Sequence, residues 1–161
     1  YKYDGNRFWE YRHEPGSNTG LRVNFISSLK SSQSGTLWIG TSGGGLHYYD
    51  PKMNRIMPFN GDPQNQLPLA ITSLQEDKKG NLLITGFGSF QVVRSHDKAL
   101  ITQDEFKEMA DMLRNKVTTA SFQDSKGNYY IGASEGIYKF NNQKKWMATY
   151  PARLTNGNSK G

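Results

Sequence analysis

Five stretches of this 161-residue chain, and three separate histidines, carry residue types and spacings that could do chemistry. Gly40-Thr41-Ser42-Gly43-Gly44 spells the G-x-S-x-G string of a hydrolase nucleophile elbow. That elbow needs a helix directly after the Ser, to aim the hydroxyl and to donate to an oxyanion. The residues that follow, Leu46-His47-Tyr48-Tyr49, read as a strand, so a structural turn is expected. Gly86-Phe87-Gly88 could open a dinucleotide fingerprint, but Gln91 stands where the third Gly belongs and no helix pattern follows. Asp77-Lys78-Lys79-Gly80-Asn81 and Asp124-Ser125-Lys126-Gly127-Asn128 are superficially like calcium loops. Hard cations need several convergent oxygens, and the lysines put positive charge where carboxylates would be required. His13, His47 and His96 are far apart, and none sits at ligand spacing from an Asp or Glu. The cluster Phe8-Trp9-Glu10-Tyr11-Arg12-His13-Glu14 mixes aromatic faces with hydrogen-bonding groups, as a sugar-binding surface does, and equally as an outer strand with its exit loop does. No catalytic, cofactor-binding or metal-binding residue is assigned, no cofactor is expected, and a ligand-binding residue cannot be named from these patterns.

The bulk composition points the same way. Seventeen Gly, nine Tyr, eight Phe and three Trp suit short strands and tight turns rather than helices. There is no Cys, which excludes disulfides, thiolate metal sites and Cys nucleophiles. The net charge of +6 comes from Lys and Arg scattered from Lys2 to Lys160, with doublets only at Lys78-Lys79 and Lys144-Lys145, both in turns. Nucleic-acid binding needs clustering, so no nucleic-acid contact is expected. No run of about eighteen apolar residues and no charged-then-apolar leader pattern occurs, so no membrane span, signal peptide or membrane contact is expected of this segment.

The elements that must position these residues repeat three times. Gly35-Thr36-Leu37-Trp38-Ile39-Gly40-Thr41 returns as Gly80-Asn81-Leu82-Leu83-Ile84-Thr85-Gly86 and as Gly127-Asn128-Tyr129-Tyr130-Ile131-Gly132-Ala133. The spacings of 45 and 47 residues belong to four-stranded propeller blades. Each copy predicts an innermost strand rich in small hydroxyl residues (25–29, 71–75, 117–122) and an Asp- or Ser-led turn ending in Gly. A second strand apolar on both faces, a glycine turn, a third strand and an outer strand follow. The opening residues Tyr1-Lys2-Tyr3-Asp4 align with the third strand, at Tyr48-Tyr49-Asp50. Thr102-Gln103-Asp104-Glu105 reads as a capping box, with Phe106, Met109, Ala110 and Leu113 forming an apolar stripe, so one short helix is predicted at 102–114.

The expected fold is therefore all-β: three full four-stranded blades and one half blade, part of a larger propeller, with one short inserted helix. The predicted division is 1–22 for the outer strands of a preceding blade and its linker, then blades at 23–60, 69–101 and 117–150, with the helix at 102–114 and a mobile tail at 151–161. A ring needs about four blades or more, so the open sheet faces and edges call for other blades of a parent chain, and self-association is expected.

The strings 35–41, Gly44-Gly45-Leu46-His47-Tyr48-Tyr49-Asp50-Pro51 and Phe122-Gln123-Asp124-Ser125-Lys126-Gly127-Asn128 resemble the two-component regulator propeller repeat. Its consensus runs close to D-x-x-G-x-L-W-I-G-T, then G-G-L, an aromatic, Y-D and P. Tyr3-Asp4-Gly5-Asn6-Arg7-Phe8 and Tyr11-Arg12-His13-Glu14-Pro15 look like the same repeat's outer strand and linker. The copies depart from the consensus at Thr85-Gly86, Leu83, Tyr130 and Ala133.

This resemblance implies the periplasmic sensor region of a hybrid two-component histidine kinase and response regulator. In such proteins tandem propellers precede a β-sandwich, a membrane helix, a kinase, a receiver and often a DNA-binding output module. Many of them detect oligosaccharides and control genes for polysaccharide use. The segment itself would not be an enzyme, and oligosaccharide would be a partner of the whole sensor, coupled by differential affinity for two states. The competing readings are a protein-interaction scaffold, with the helix at 102–114 as its docking face through Phe106 and Leu113, and a propeller lyase using His47 or His96.

Overall fold

The computed structural model of the chain describes residues 1–13, 20–61 and 67–152. Three repeats of one turn organise it. At Asp77 the carboxylate accepts the backbone N–H of Lys79 and of Asn81, each at 2.9 Å, and the Asn81 side-chain amide at 2.9 Å. Gly80 supplies the positive φ (80°) that reverses the chain. Asp124 repeats the pattern with Lys126 and Asn128. In the first copy Ser32 does the work through its hydroxyl, which accepts from Thr36 N–H at 3.1 Å.

Each turn joins the inner two strands of a sheet. The half blade holds β1 (Lys2–Tyr3) and β2 (Phe8–Trp9). The first complete blade contains β3 (Ile26–Ser31), β4 (Leu37–Thr41), β5 (Leu46–Asp50) and β6 (Arg55–Pro58). The second holds β7 (Ile71–Glu76), β8 (Asn81–Gly86), β9 (Phe90–Arg94) and β10 (Ala99–Leu100). The third holds β11 (Thr118–Gln123), β12 (Tyr129–Ala133), β13 (Gly136–Phe140) and β14 (Trp146–Pro151), and every pairing is antiparallel between neighbours in sequence. This is the all-β arrangement of three four-stranded blades plus two strands of another that the repeat predicts. Of the expected mobile tail at 151–161, residues 153–161 lie outside the described residues, as do Glu14 and Pro15.

The small hydroxyl residues of the innermost strands have a specific reason. Each innermost strand is bulged at one place, between Ile26 and Ser28, Ile71 and Ser73, and Thr118 and Ala120. Around that bulge the hydroxyls stitch one blade to the next. Ser28 accepts from Leu74 N–H at 3.1 Å, and the Thr72 hydroxyl donates to the Thr118 carbonyl at 2.8 Å.

The apolar second strand β8 is covered on both sides. Trp38, Leu46, Ile71, Leu74, Leu82 and Ile84 form one cluster between the first and second blades. Leu83, Phe90, Val92, Tyr129, Ile131 and Phe140 form another between the second and third. Leu82, Leu83 and Ile84 are all fully buried although consecutive, because neighbouring blades take alternate side chains.

The helical insertion differs from expectation in two respects. It is two pieces, α1 (Thr102–Glu105) and α2 (Lys107–Leu113), separated at Phe106, whose φ of −125° breaks the run. The predicted capping box does not form. The Thr102 hydroxyl instead accepts the Val92 N–H of β9 at 2.8 Å, a tertiary partner that outcompetes the local cap. Phe106, Met109 and Leu113 are buried in the second cluster with Phe90, Tyr129 and Phe140, and Ala110 is buried beside them, so this stripe is propeller core and not a docking face.

Candidate functional site

The strings that carried chemical possibilities resolve into turns. Ser42 N–H donates to the Phe25 carbonyl at 3.0 Å and Ser42 forms a bridge with Ala70, with β5 following rather than a helix, so nothing there builds an oxyanion site. Phe87 forms the matching bridge with Val117, and the second glycine turn leads into β9. Asp77 and Asp124 spend their carboxylate oxygens on their own turns and on tyrosines, and no group of three or more metal-ligating side chains occurs among the described residues.

Two of the three histidines, His13 and His47, flank the Leu21–Arg22 peptide, and His96 lies in a separate turn. His47 is buried on β5, and its Nε2 accepts the Arg22 N–H at 3.1 Å. Burial pushes its pKa below the ordinary 6.5, so it is neutral and structural rather than a solvent-facing base. His13 Nδ1 lies 2.8 Å from the Leu21 carbonyl. His96 is exposed in a turn, 3.8 Å from Asp97. Of the two histidines named by the lyase reading, His47 is buried on β5 and His96 is exposed in the turn after β9.

The aromatic cluster near the start of the chain folds mainly on itself. Tyr3 and Phe8 stack with ring centroids 4.7 Å apart, and Trp9 Nε1 donates to Asp4 at 3.2 Å. The Tyr1 hydroxyl at 2.7 Å, and Arg12, lower the pKa of Glu10 from its ordinary value. The rings stay exposed, but their polar tips are already paired within the hairpin.

A second aromatic surface was not legible in the sequence. Trp146, at the start of β14, is 49% exposed beside α2. With Lys107, Glu108, Asp111, Met112 and Lys145 it lines an open depression of about 660 Å³. Glu108 fixes it: its carboxylate accepts the Trp146 N–H at 3.0 Å and the Lys145 ammonium at 2.6 Å, which lowers its pKa. Asp111 pairs with Lys107 and, at 2.6 Å, with Arg114. An indole face rimmed by donors and acceptors suits a ring with one apolar face and hydroxyls at its edge. The signal in sequence is faint, since Glu108 and Trp146 are 38 residues apart, one on the inserted helix α2 and the other on β14.

A third surface is apolar. A groove of about 400 Å³ runs along the side of the first complete blade, between Ile26, Leu29, Leu37 and Ile39 and the half-blade residues Tyr1 and Lys2.

No protein-family model matches the sequence, and no curated protein matches it. Solved structures do match its fold. The extracellular domain assigned to a hybrid two component system, BT3049 of B. thetaiotaomicron, is 24% identical with a TM-score of 0.63, over 87% of this chain and 19% of that one. A second extracellular domain from the same organism, assigned to the one component system BT4673, is 15% identical with a TM-score of 0.59, over 84% of this chain and 17% of that one. YCF48 bound to D1 peptide is 12% identical with a TM-score of 0.53, over 76% of this chain and 38% of that one. The chain thus spans about a fifth of the length of the two extracellular domains it matches. At these identities the likeness is one of fold. No helix among the described residues is long and apolar enough to cross a membrane.

Proposed function

We propose that this chain supplies blades to the extracytoplasmic ligand-sensing propeller of a hybrid two-component sensor histidine kinase, without catalysing a reaction itself. The parent's sensor would detect oligosaccharides in the periplasm, pass the signal through a phosphorelay and control genes for polysaccharide use. The single observation that supports this best is the coincidence of two independent likenesses. Repeat strings such as 35–41 resemble the two-component regulator propeller repeat, and the fold resembles extracellular domains assigned to such systems. The Trp146 depression is the described surface best suited to a sugar ring, because the indole stays half exposed while Glu108 anchors the Trp146 main chain and Thr149 accepts from the indole N–H at 3.3 Å.

The test is to add a panel of neutral and acidic oligosaccharides to membranes carrying the parent protein and to follow phosphoryl transfer from ATP. One saccharide class is expected to change the rate saturably, and Trp146→Ala to raise the half-saturating concentration about tenfold. A panel without effect on phosphoryl transfer rejects the sensor reading. A second reading, a protein-interaction scaffold, is favoured by the fold likeness to YCF48, which is bound to D1 peptide. It would gain support from peptide binding without any effect of saccharides.

A further inference from the structure

Register places one polar side chain at the same point of each complete blade's third strand. His47 pairs with Ile39, Gln91 with Ile84 and Tyr138 with Ile131. Two of the three are partnered: His47 Nε2 accepts the Arg22 N–H at 3.1 Å, and the Tyr138 hydroxyl donates to Glu135 at 2.7 Å. Gln91 is 6% exposed, yet its Oε1 has no hydrogen-bond partner among the described residues. Ser89, two residues earlier, stands where the other blades have Gly45 and Gly136, and its Oγ is likewise buried without a partner. Leaving a buried polar atom unpaired is destabilising, so two of them side by side call for a reason.

The second blade differs from its neighbours in its fourth strand. β6 pairs back along β5 as far as His47, and β14 along β13 as far as Gly136. β10 pairs with Arg94 and Val93 alone, and the chain then leaves into α1 and α2. In the third blade a Cβ on Gly136 would lie 2.2 Å from the Tyr150 carbonyl oxygen of the fourth strand. Among the described residues no fourth strand stands beside Ser89, so a side chain has room there. Between the β8–β9 turn, β9 and the two helices lies a cavity of about 290 Å³ whose lining includes Ser89, Gln91, Gln103, Ala110 and Arg114. It shares no residue with the Trp146 depression.

We propose that this cavity binds a small polyhydroxylated carboxylate, its hydroxyls donating to Gln91 Oε1 and Ser89 Oγ and its carboxylate paired with Arg114. Gln91 Oε1 can only accept and Ser89 Oγ can do either, so the buried end calls for hydroxyl donors. An ammonium would suit the same acceptors, but no carboxylate lines the cavity to balance its charge. Gln103 and Arg114 are exposed and form the outer end. Arg114 donates to Asp111 at 2.6 Å, and Lys107 holds the same carboxylate. An exposed pair of this kind is weak, so the guanidinium can turn to a ligand while Asp111 keeps a cation. One guanidinium matches one carboxylate, two N–H groups against two oxygens, whereas a dianionic phosphate would find a single cation in the lining. Small-molecule sites run from about 300 Å³ upward, so the cavity suits a single sugar acid rather than an oligomer.

The experiment titrates the chain with D-gluconate by calorimetry, beside D-sorbitol, which lacks the carboxylate, and acetate, which lacks the hydroxyls. Gluconate should bind saturably, and both controls at least about tenfold more weakly, the worth of one charge-assisted hydrogen bond. Arg114→Gln should bring gluconate down to the level of sorbitol, while Gln91→Met and Ser89→Ala should each weaken gluconate about fivefold or more. In the ligand-free chain Gln91→Met and Ser89→Ala should leave Tm unchanged or higher, because neither polar atom is bonded within the protein. Gluconate should raise the Tm of the native chain more than that of either variant. Absence of gluconate binding, sorbitol that binds equally well, or binding that survives Gln91→Met and Arg114→Gln overturns the proposal. So does a Tm lowered by both Gln91→Met and Ser89→Ala, which would make the two side chains anchors of ordered solvent within the fold. Calorimetry reads binding to this chain alone, so its outcome is independent of phosphoryl transfer in a parent protein.

Discussion

The phenol of Tyr129 donates to Asp77 Oδ2 at 3.0 Å, joining the third blade to the turn of the second across 52 residues of sequence. Both groups are buried. Burial and the Asp77 carboxylate push the Tyr129 pKa well above its ordinary 10.0. Because the neutral phenol is favoured in the fold, the contribution is complete below pH of about 10 and is lost as pH rises beyond it. Unfolding by urea should therefore become easier above that pH in the native chain, and less so in Tyr129→Phe. At neutral pH Tyr129→Phe should cost about 1–3 kcal/mol. Tyrosinate absorbance gives a second check, since Tyr129 should ionise only with unfolding. A Tyr129 that titrates with the exposed tyrosines contradicts the buried pairing.

Position Gly40 is set by an approach between blades rather than by backbone conformation. A Cβ there would meet Ile71 Cγ2 at 2.7 Å, with Leu74 Cδ1 at 3.4 Å, so the second blade's innermost strand would have to move away. Gly40→Ala should destabilise by about 1–3 kcal/mol, the usual range for overpacking a filled core. Gly43→Ala offers a contrast: its positive φ of 117° makes it strained as well, but nothing lies within 4 Å of the added carbon. A double change of Gly40→Ala with Ile71→Ala, which removes Cγ2, should cost less in a thermal melt than the sum of the two single changes. Strictly additive losses would mean that the blades are not in contact through this pair.

The sequence carries whatever repeats locally, and little else. The strands, the Asp-led turns and the half blade follow from strings of a few residues that recur at 45 and 47 residues. What escaped depends on partners distant in sequence. Thr102 looks like a helix cap until β9 is placed beside it, and the hydroxyls near the bulges look like small fillers until a neighbouring blade offers Leu74 N–H. Trp146 looks like any residue of an outer strand until Glu108 of α2 reaches it. The aromatic cluster from Phe8 to Tyr11 was legible as residues, but its internal pairing with Tyr1, Tyr3 and Asp4 was not.

Charged substitutions on the helical insertion test stability, not partner capture. Phe106, Met109 and Leu113 are fully buried against Phe90, Tyr129 and Phe140, and the Phe106 and Tyr129 rings meet edge to face at 5.9 Å. Leu113→Ala should cost about 2–5 kcal/mol in a denaturant melt, and Phe106→Asp should abolish cooperative folding of the second and third blades. Hydrogen exchange would show the loss spreading into β9 and β12. A variant at Leu113 that keeps native stability would place the stripe outside the core.

His47 is a buried imidazole whose titration has a definite sign. Desolvation lowers its pKa below 6.5 in the fold, while the unfolded chain binds the proton at the ordinary value. The unfolded state therefore holds more protons below pH of about 6.5, so the contribution of His47 is present above that pH and is lost as pH falls. The Tm of the native chain should drop between pH 7 and pH 5. His47→Gln should flatten that drop even if it lowers Tm throughout, because the amide cannot titrate. Imidazole nitrogen shifts would locate the effect, with Nε2 held as the acceptor of the Arg22 N–H at 3.1 Å. A His47 ring that titrates at or above 6.5 would show that water reaches it, and would reopen the question of an acid or base at the turn between β4 and β5.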